Sequence, residues 1–198
     1  MNNEKLSLRF VREADAPVLL EIYRPHVESE DRKLSDVSFE FVAPDVAEFT
    51  KRIQTISAKF PYLVLEQAGQ ILGYAYAHPY AERAAYQWSV ELSIYLAPEG
   101  QNKGYGVLMT KVMEKLLALQ QVTNLYACIT KSNTHSIKMY EKLGYKINAV
   151  FTNCAFKKGH WLDMVWMEKE LPHPEVPELV KSIHEVDEKL IKAILADI

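Results

Sequence analysis

The 198-residue chain has little of what usually announces a specialised class of protein. Its two cysteines, Cys128 and Cys154, are too few for a disulfide framework. No apolar run approaches the ~20 residues of a membrane-crossing helix, so no membrane partner is expected. Positive charge is not in excess. The 23 Lys and Arg against 26 Asp and Glu leave a net charge of −3 and a pI near 6.1, and no basic field invites nucleic acid. The 6 histidines show no ligand spacing, with His78, His135 and His160 isolated from cysteines and paired carboxylates, so no metal is expected. The opening MNNEKLSLRFV lacks the apolar core of an export signal, which makes the cytoplasm the expected compartment. What remains is an ordinary globular balance, 48% hydrophobic and 25% charged, long enough for a real core.

Glycine is scarce too: only 7 in 198. Two of them, Gly104 and Gly106, stand one residue apart in QNKGYGVLMTKVM, at the start of a helix-like stretch. Glycine admits positive φ and close backbone approach, at an entropic cost. A helix start presents unpaired N–H groups and the positive end of a dipole, a setting suited to an anion.

The rest of the chain alternates strands and helices. SLRFV reads as a strand, and Asp15–Pro17 as the start of a helix that Pro25 bends or ends. ESEDRKLSDVS, residues 28–38, reads as a polar loop. Asp45 opens a helix with Val46, Phe49, Ile53 and Ile56 at helical spacing. YLVLE and ILGYAYAHPY form a hairpin around Gly69. QWSVELSIYL alternates, with Val90, Leu92, Ile94 and Leu96 on one face and Glu91, Ser93 and Tyr95 on the other. A helix of about 15 residues, the strand NLYACI, and the helix SNTHSIKMYEKLG stopped by Gly144 follow. YKINAVF and LDMVWMEKEL close the sheet. The pattern predicts an α+β fold with a mixed, mostly antiparallel sheet flanked by helices.

Residues 1–171 form one expected domain, and 172–198 a proline-rich link and a C-terminal amphipathic helix. Leu179, Val180, Ile183, Val186, Leu190, Ile191 and Ile194 fall on one helical stripe, to be buried on the chain's own domain or on a partner copy. Cys128, in the apolar run LYACI, reads as core packing.

Two glycine-rich motifs fail at this site. GxGxxG finds Met109 at its third glycine, and GxxxxGK[ST], counted from Gly100, meets Tyr105 and Gly106. What remains is Gln101-x-x-Gly104-x-Gly106 between a strand and a long helix. Downstream, Asn133 opens a helix and Tyr140 follows seven residues later, close to two turns and so on the same side. Together these motifs resemble the Gcn5-related N-acetyltransferase (GNAT) superfamily, across about Leu8–Leu171. YAYAHPYAERAAYQWSVELSIYLAPEGQNKGYG and FKKGHWLDMVW narrow the likeness to the phosphinothricin N-acetyltransferase branch. Three features depart from the branch. Ala155 and Lys158 replace its Gly and His, Tyr140 stands where the nearest phosphinothricin enzymes carry His, and ESEDRKLSDVSFEF is long.

The resemblance implies the acyl-CoA N-acyltransferase fold and acetyl-CoA as co-substrate. It implies a small-molecule amine acceptor and acetyl transfer by direct attack within a ternary complex. Gln101, Lys103, Gly104, Tyr105, Gly106, Asn133 and Ser136 would hold the CoA. Free backbone groups near Ile94 and Leu96 would polarise the thioester where the sheet splays. Phe39, Arg83 and Tyr86 would hold the acceptor, and a homodimer is expected.

Glu91 is the matching acid and Tyr140 the matching proton donor. An ordinary Glu near 4.3 facing an α-amine near 7.7–8.0 is too acidic by about 5 kcal/mol for direct proton transfer. Glu91 must therefore be raised by burial or act through a water chain, the favoured route. Tyr140, near 10, faces a thiol near 8.5, a gap of about 2 kcal/mol that a hydrogen bond alone would avoid. Two alternatives stay open: another acceptor (a protein N-terminus, a polyamine, an antibiotic), and a non-catalytic acyl-CoA-binding module.

Overall fold

In the computed structural model, which describes residues 5–198, the alternating segments form seven strands. They are β1 (Ser7–Phe10), β2 (Tyr62–Gln67), β3 (Gln70–Pro79), β4 (Ser89–Leu96), β5 (Asn124–Thr130), β6 (Lys146–Lys157) and β7 (His160–Glu170). Residues 1–4, the start of the stretch read above as lacking an export core, lie outside the described residues. The strands join one sheet in the order β1-β2-β3-β4-β5-β7-β6. Every pairing among the described residues is antiparallel except β4 with β5. The expected mixed, mostly antiparallel sheet is therefore present.

Helices cover both faces. On one side α1 (Ala16–Tyr23) and α4 (Val46–Ser57) pack Leu19, Leu20, Phe49 and Ile53 against Tyr62, Val64 and Tyr74. On the other side α5 (Tyr105–Leu119) buries Met109, Met113, Leu116 and Leu117 against Leu63, Leu65, Val90, Leu92 and Leu125. Because β2 sends Tyr62 and Val64 one way and Leu63 and Leu65 the other, YLVLE has to be apolar on both faces. The Asp45 side chain accepts from the Glu48 N–H at 2.8 Å, which is why α4 begins there.

Three expectations need correction. First, the polar segment 28–38 is not all loop. After α2 (Pro25–Glu28), Asp31 caps a single turn, α3 (Arg32–Ser35), by accepting from Lys33 N–H at 3.0 Å. Second, β6 runs past YKINAVF to Lys157, through a register irregularity between Phe151 and Ala155 where Asn153 takes a positive φ of 49°. Third, the C-terminal stripe is not one helix. Ser182 caps a 3-10 turn at Ile183–Glu185, Val186 is extended, and Asp187 caps α7 (Glu188–Ala196). Two side-chain caps five residues apart interrupt the run, although the apolar spacing alone would have carried it through.

The tail packs on its own subunit. Ile183 and Ile191 are buried in the core that α5 covers, worth roughly 1.5–3 kcal/mol each. Gln120, fully buried at the end of α5, donates through Nε2 to the carbonyls of Lys59 and Lys181, both at 2.8 Å.

Candidate active site

The site begins where the sheet comes apart. β4 and β5 pair only at Ser89–Asn124, Val90–Leu125 and Glu91–Tyr126, although both strands continue. Beyond Glu91 they diverge, and a cleft of about 640 Å³ opens between Leu92–Leu96 and Ala127–Thr130. The Ala97 N–H donates to Leu72 O at 3.0 Å, and Ser89 O accepts from Tyr80 N–H at 3.1 Å, so the odd-numbered residues of β4 turn their peptide groups toward β3. By alternation Ile94 and Leu96 turn theirs into the gap. Gln101 closes one of these, donating from Nε2 to Leu96 O at 3.3 Å.

The floor of the cleft is the start of α5. Gly104 is its N-cap, with φ 80°, a conformation that open space would allow other residues only under strain. Gly106 serves a different need, since a Cβ there would meet the Met139 sulfur at 2.7 Å. The paired glycines thus answer two demands: a left-handed cap and a close crossing of α5 with α6 (Thr134–Lys142). Asn133 caps α6, its Oδ1 accepting from Ser136 N–H at 3.2 Å.

Ile94, Leu96, Gln101, Gly104, Tyr105, Gly106, Asn133, Ser136 and Tyr140 all line this one cleft, and Lys103 is exposed beside it. Sequence reasoning missed Lys33, Lys138 and Lys142, which also line it. Although the chain carries a net charge of −3, three lysines and no carboxylate face the cleft among the described residues. A polyanion fits such a lining.

Two protonatable groups reach the fork from opposite faces. Glu91 shares its face of β4 with Ser93 and Tyr95, and its side chain retains 23% of its exposure. Burial raises its pKa, while the neighbouring His78 and a hydrogen bond with the Cys128 thiol oppose the rise. Cys128 therefore belongs to the site and not to plain core packing. Burial and the Glu91 charge push its own pKa up, so it stays a neutral thiol.

Tyr140 is buried and comes from the α6 side. Burial pushes its pKa up, and Thr110 lies within hydrogen-bond reach. The Thr110 hydroxyl spends its proton on Gly106 O at 2.8 Å. Tyr140 is then the donor in any bond between the two hydroxyls.

The residues expected at the acceptor are more scattered. Arg83 and Tyr86 are exposed and do not line the cleft. Arg83 borders a separate hollow of about 540 Å³ with Lys59, Phe60, Pro79, Tyr80 and Gln87. Tyr86 packs on Tyr80 at 5.6 Å between ring centroids. Phe39 is half-buried at the end of the long loop. That loop is held by the turn between β6 and β7. Lys157 Nζ donates to Ser35 O and Ser38 O, and Lys158 Nζ donates to Glu28 O and Ser29 O. His160 meets Asp36 at 3.1 Å. Leu34 and Val37 of the loop wall the cleft. Lys158, which departs from the branch pattern, is thus part of the mounting for the unusually long loop.

Residues 8–166 match the family model described as an acetyltransferase (GNAT) domain. The chain belongs to the GNAT family. It is 34% identical over 167 residues to a phosphinothricin N-acetyltransferase of Alcaligenes faecalis, covering 83% of this chain and 82% of that protein. An L-methionine sulfoximine/L-methionine sulfone acetyltransferase of Salmonella typhimurium is 25% identical over 178 residues, covering 87% of this chain and 99% of its own length. A solved GNAT phosphinothricin acetyltransferase of Sinorhizobium meliloti, in complex with AcCoA, superposes with a TM-score of 0.80 at 29% identity, covering 92% of this chain and 96% of that one. This GNAT protein is accordingly an acetyl-CoA-dependent N-acetyltransferase of the phosphinothricin acetyltransferase-like branch.

Proposed function

We propose that this enzyme acetylates the α-amine of a small amino acid or amino-acid analogue, with donor and acceptor bound together. The observation that carries the reading is the fork itself. Glu91 marks the last β4–β5 pairing, directly beside a carboxylate-free, lysine-rimmed cleft that ends at a glycine-capped helix.

Bound acetyl-CoA supplies a thioester carbonyl and a thiol leaving group. Gly104, Gly106 and the first-turn amides of α5 hold its pyrophosphate, with Gln101, Lys103, Tyr105, Asn133 and Ser136 around them. Lys33, Lys138 and Lys142 supply the countercharge. The N–H groups that Ile94 and Leu96 turn into the gap orient and polarise the carbonyl. Glu91 takes a proton from the acceptor ammonium, and its burial narrows the gap of about 5 kcal/mol that an ordinary carboxylate would face. Tyr140, kept neutral by burial, turns its single O–H from Thr110 to the departing sulfur.

The named relatives act on phosphinothricin and on methionine sulfoximine or sulfone, and an amino-acid carboxylate suits an Arg anchor. Arg83, with Phe39 and Tyr86, fills that role in this reading. The hollow of Arg83 begins at Pro79, adjacent in the chain to His78. A homodimer belongs to the proposal as well. Ile147, Val150, Phe151 and Phe156 stand exposed along the sheet-edge strand β6, with Trp161 beside Phe156, and a second copy would cover them. The two unpaired cysteines suit a reducing cytoplasm.

Release of free CoA thiol from acetyl-CoA, followed with phosphinothricin, methionine sulfone, common amino acids and spermidine in parallel, tests the reading. Fast release with the amino-acid analogues is expected. Release with spermidine alone would overturn the acceptor class, and tight donor binding without release would overturn catalysis.

A further inference from the structure

His78 lies directly across the sheet from Glu91 in the β3–β4 register, and its Nε2 stands 3.7 Å from Glu91 Oε2. The other ring nitrogen, Nδ1, sits 3.1 Å from Pro79 O. A carbonyl only accepts, so that contact puts the ring proton on Nδ1 and leaves Nε2 bare. Two bare acceptors, Nε2 and a carboxylate oxygen, therefore face each other across a gap that one proton fills. The distance is longer than a hydrogen bond, so one of the two side chains has to turn for the proton to cross.

We infer that His78 is the proton outlet of Glu91, a relay residue for acetyl transfer. The inference rests on the acetyl-transfer reading above. The proton that Glu91 takes from the acceptor ammonium crosses to His78, the Nε2–H bond forming as the Oε2–H bond breaks. The imidazolium then gives that proton to water and returns to its neutral form. Glu91 is a carboxylate again, ready for the next acceptor. Position supports the direction of travel, since the His78 side chain keeps 34% of its exposure against 23% for Glu91.

The other titratable groups near the pair do not compete for the proton. Tyr76 on β3, Tyr95 on β4, Cys128 on β5 and Tyr140 on α6 act on Glu91 or are acted on by it. All four are pushed upward by burial and stay neutral. None of the four offers the Glu91 proton a bare ring nitrogen, as His78 Nε2 does. The role is legible in YAYAHPY only after the strand register is known, because Glu91 comes thirteen positions later.

The test uses His78→Gln, which keeps a polar side chain but cannot carry a proton, and His78→Ala with added imidazole. For His78→Gln, kcat should fall about tenfold or more with the KM for acetyl-CoA unchanged. Imidazole should restore part of the His78→Ala rate. Independently of turnover, the 13C-labelled Glu91 carboxyl is titrated by NMR in wild type and His78→Gln. Its midpoint should rise once His78 is gone, because a charged imidazole favours the carboxylate. An unchanged kcat, or an unmoved Glu91 midpoint, overturns the relay. Wild-type protein that releases no thiol with any amine overturns the acetyl-transfer reading instead, and the NMR titration still decides the pair.

Discussion

Lys157 and Ser38 stand 119 residues apart in the chain, yet the Lys157 ammonium donates to the Ser38 carbonyl at 2.6 Å from a site only 2% exposed. A second donation, to Ser35 O at 2.6 Å, makes this lysine the peg on which the long loop hangs. Lys157→Met keeps the apolar stem but leaves two carbonyls unpaired. It should cost about 2–4 kcal/mol in denaturant unfolding and expose residues 28–40 to limited proteolysis. Unaltered protease resistance would count against the peg.

The two glycines of the cleft should fail for different reasons. Gly104→Ala meets open space, but its φ of 80° costs an L-residue about 1–2 kcal/mol. Gly106→Ala keeps a helical backbone and displaces the Met139 sulfur, at about 1–3 kcal/mol. Met139→Ala should relieve the second variant and leave the first untouched, as read by unfolding midpoints of the four proteins and the double mutants.

Burial places the folded-state pKa of Glu91 above its unfolded value, so ionising it works against the fold. The associated stability is full below the unfolded value, near 4.3, and is lost as pH rises through the folded one. Glu91→Gln never suffers that loss. It should be at least as stable as wild type at pH 7–8, with the difference shrinking toward pH 4. Turnover should fall by about a hundredfold or more while acetyl-CoA binding persists. A variant that lost donor binding in calorimetry would show Glu91 to be structural.

Gln120 ties the C-terminal tail to the body through two carbonyls. Gln120→Ala takes its donor from the Lys181 carbonyl while the Lys59 carbonyl keeps the Ile183 N–H, at a cost of about 1–3 kcal/mol. Hydrogen exchange should quicken across residues 178–191 before it quickens in the sheet.

If a second copy covers β6, light scattering should give twice the 22.7 kDa of one chain, and Phe156→Asp should shift the population toward one. A wild-type monomer at micromolar concentration sinks the homodimer.

What the sequence disclosed was local. Alternation in QWSVELSIYL assigns Glu91 to its face, and the cap at Asn133 and the glycine pair can be read from a few neighbouring residues. What it hid depended on register and distance. His78 meets Glu91 because the β3–β4 connection sets which residues oppose, and periodicity carries no record of that. Lys157 and Lys158 reach back about 120–130 residues, so their polar, turn-like local setting suggested nothing of a buried anchor. The C-terminal stripe misled because helical spacing says nothing of where a side chain will cap first, and Ser182 and Asp187 both do.

The fork between β4 and β5 has a mechanical side. Strands β1–β4 and β5–β7 form two leaves of one sheet, bound at the spine by three residue pairs and free along the outer margin. A molecule lodged in the margin, between Ile94 on one leaf and Ile129 on the other, would take the place of the rungs the sheet omits. Occupancy would then stiffen the whole sheet, and a donor present at a hundred times its Kd would add about 2.7 kcal/mol against unfolding.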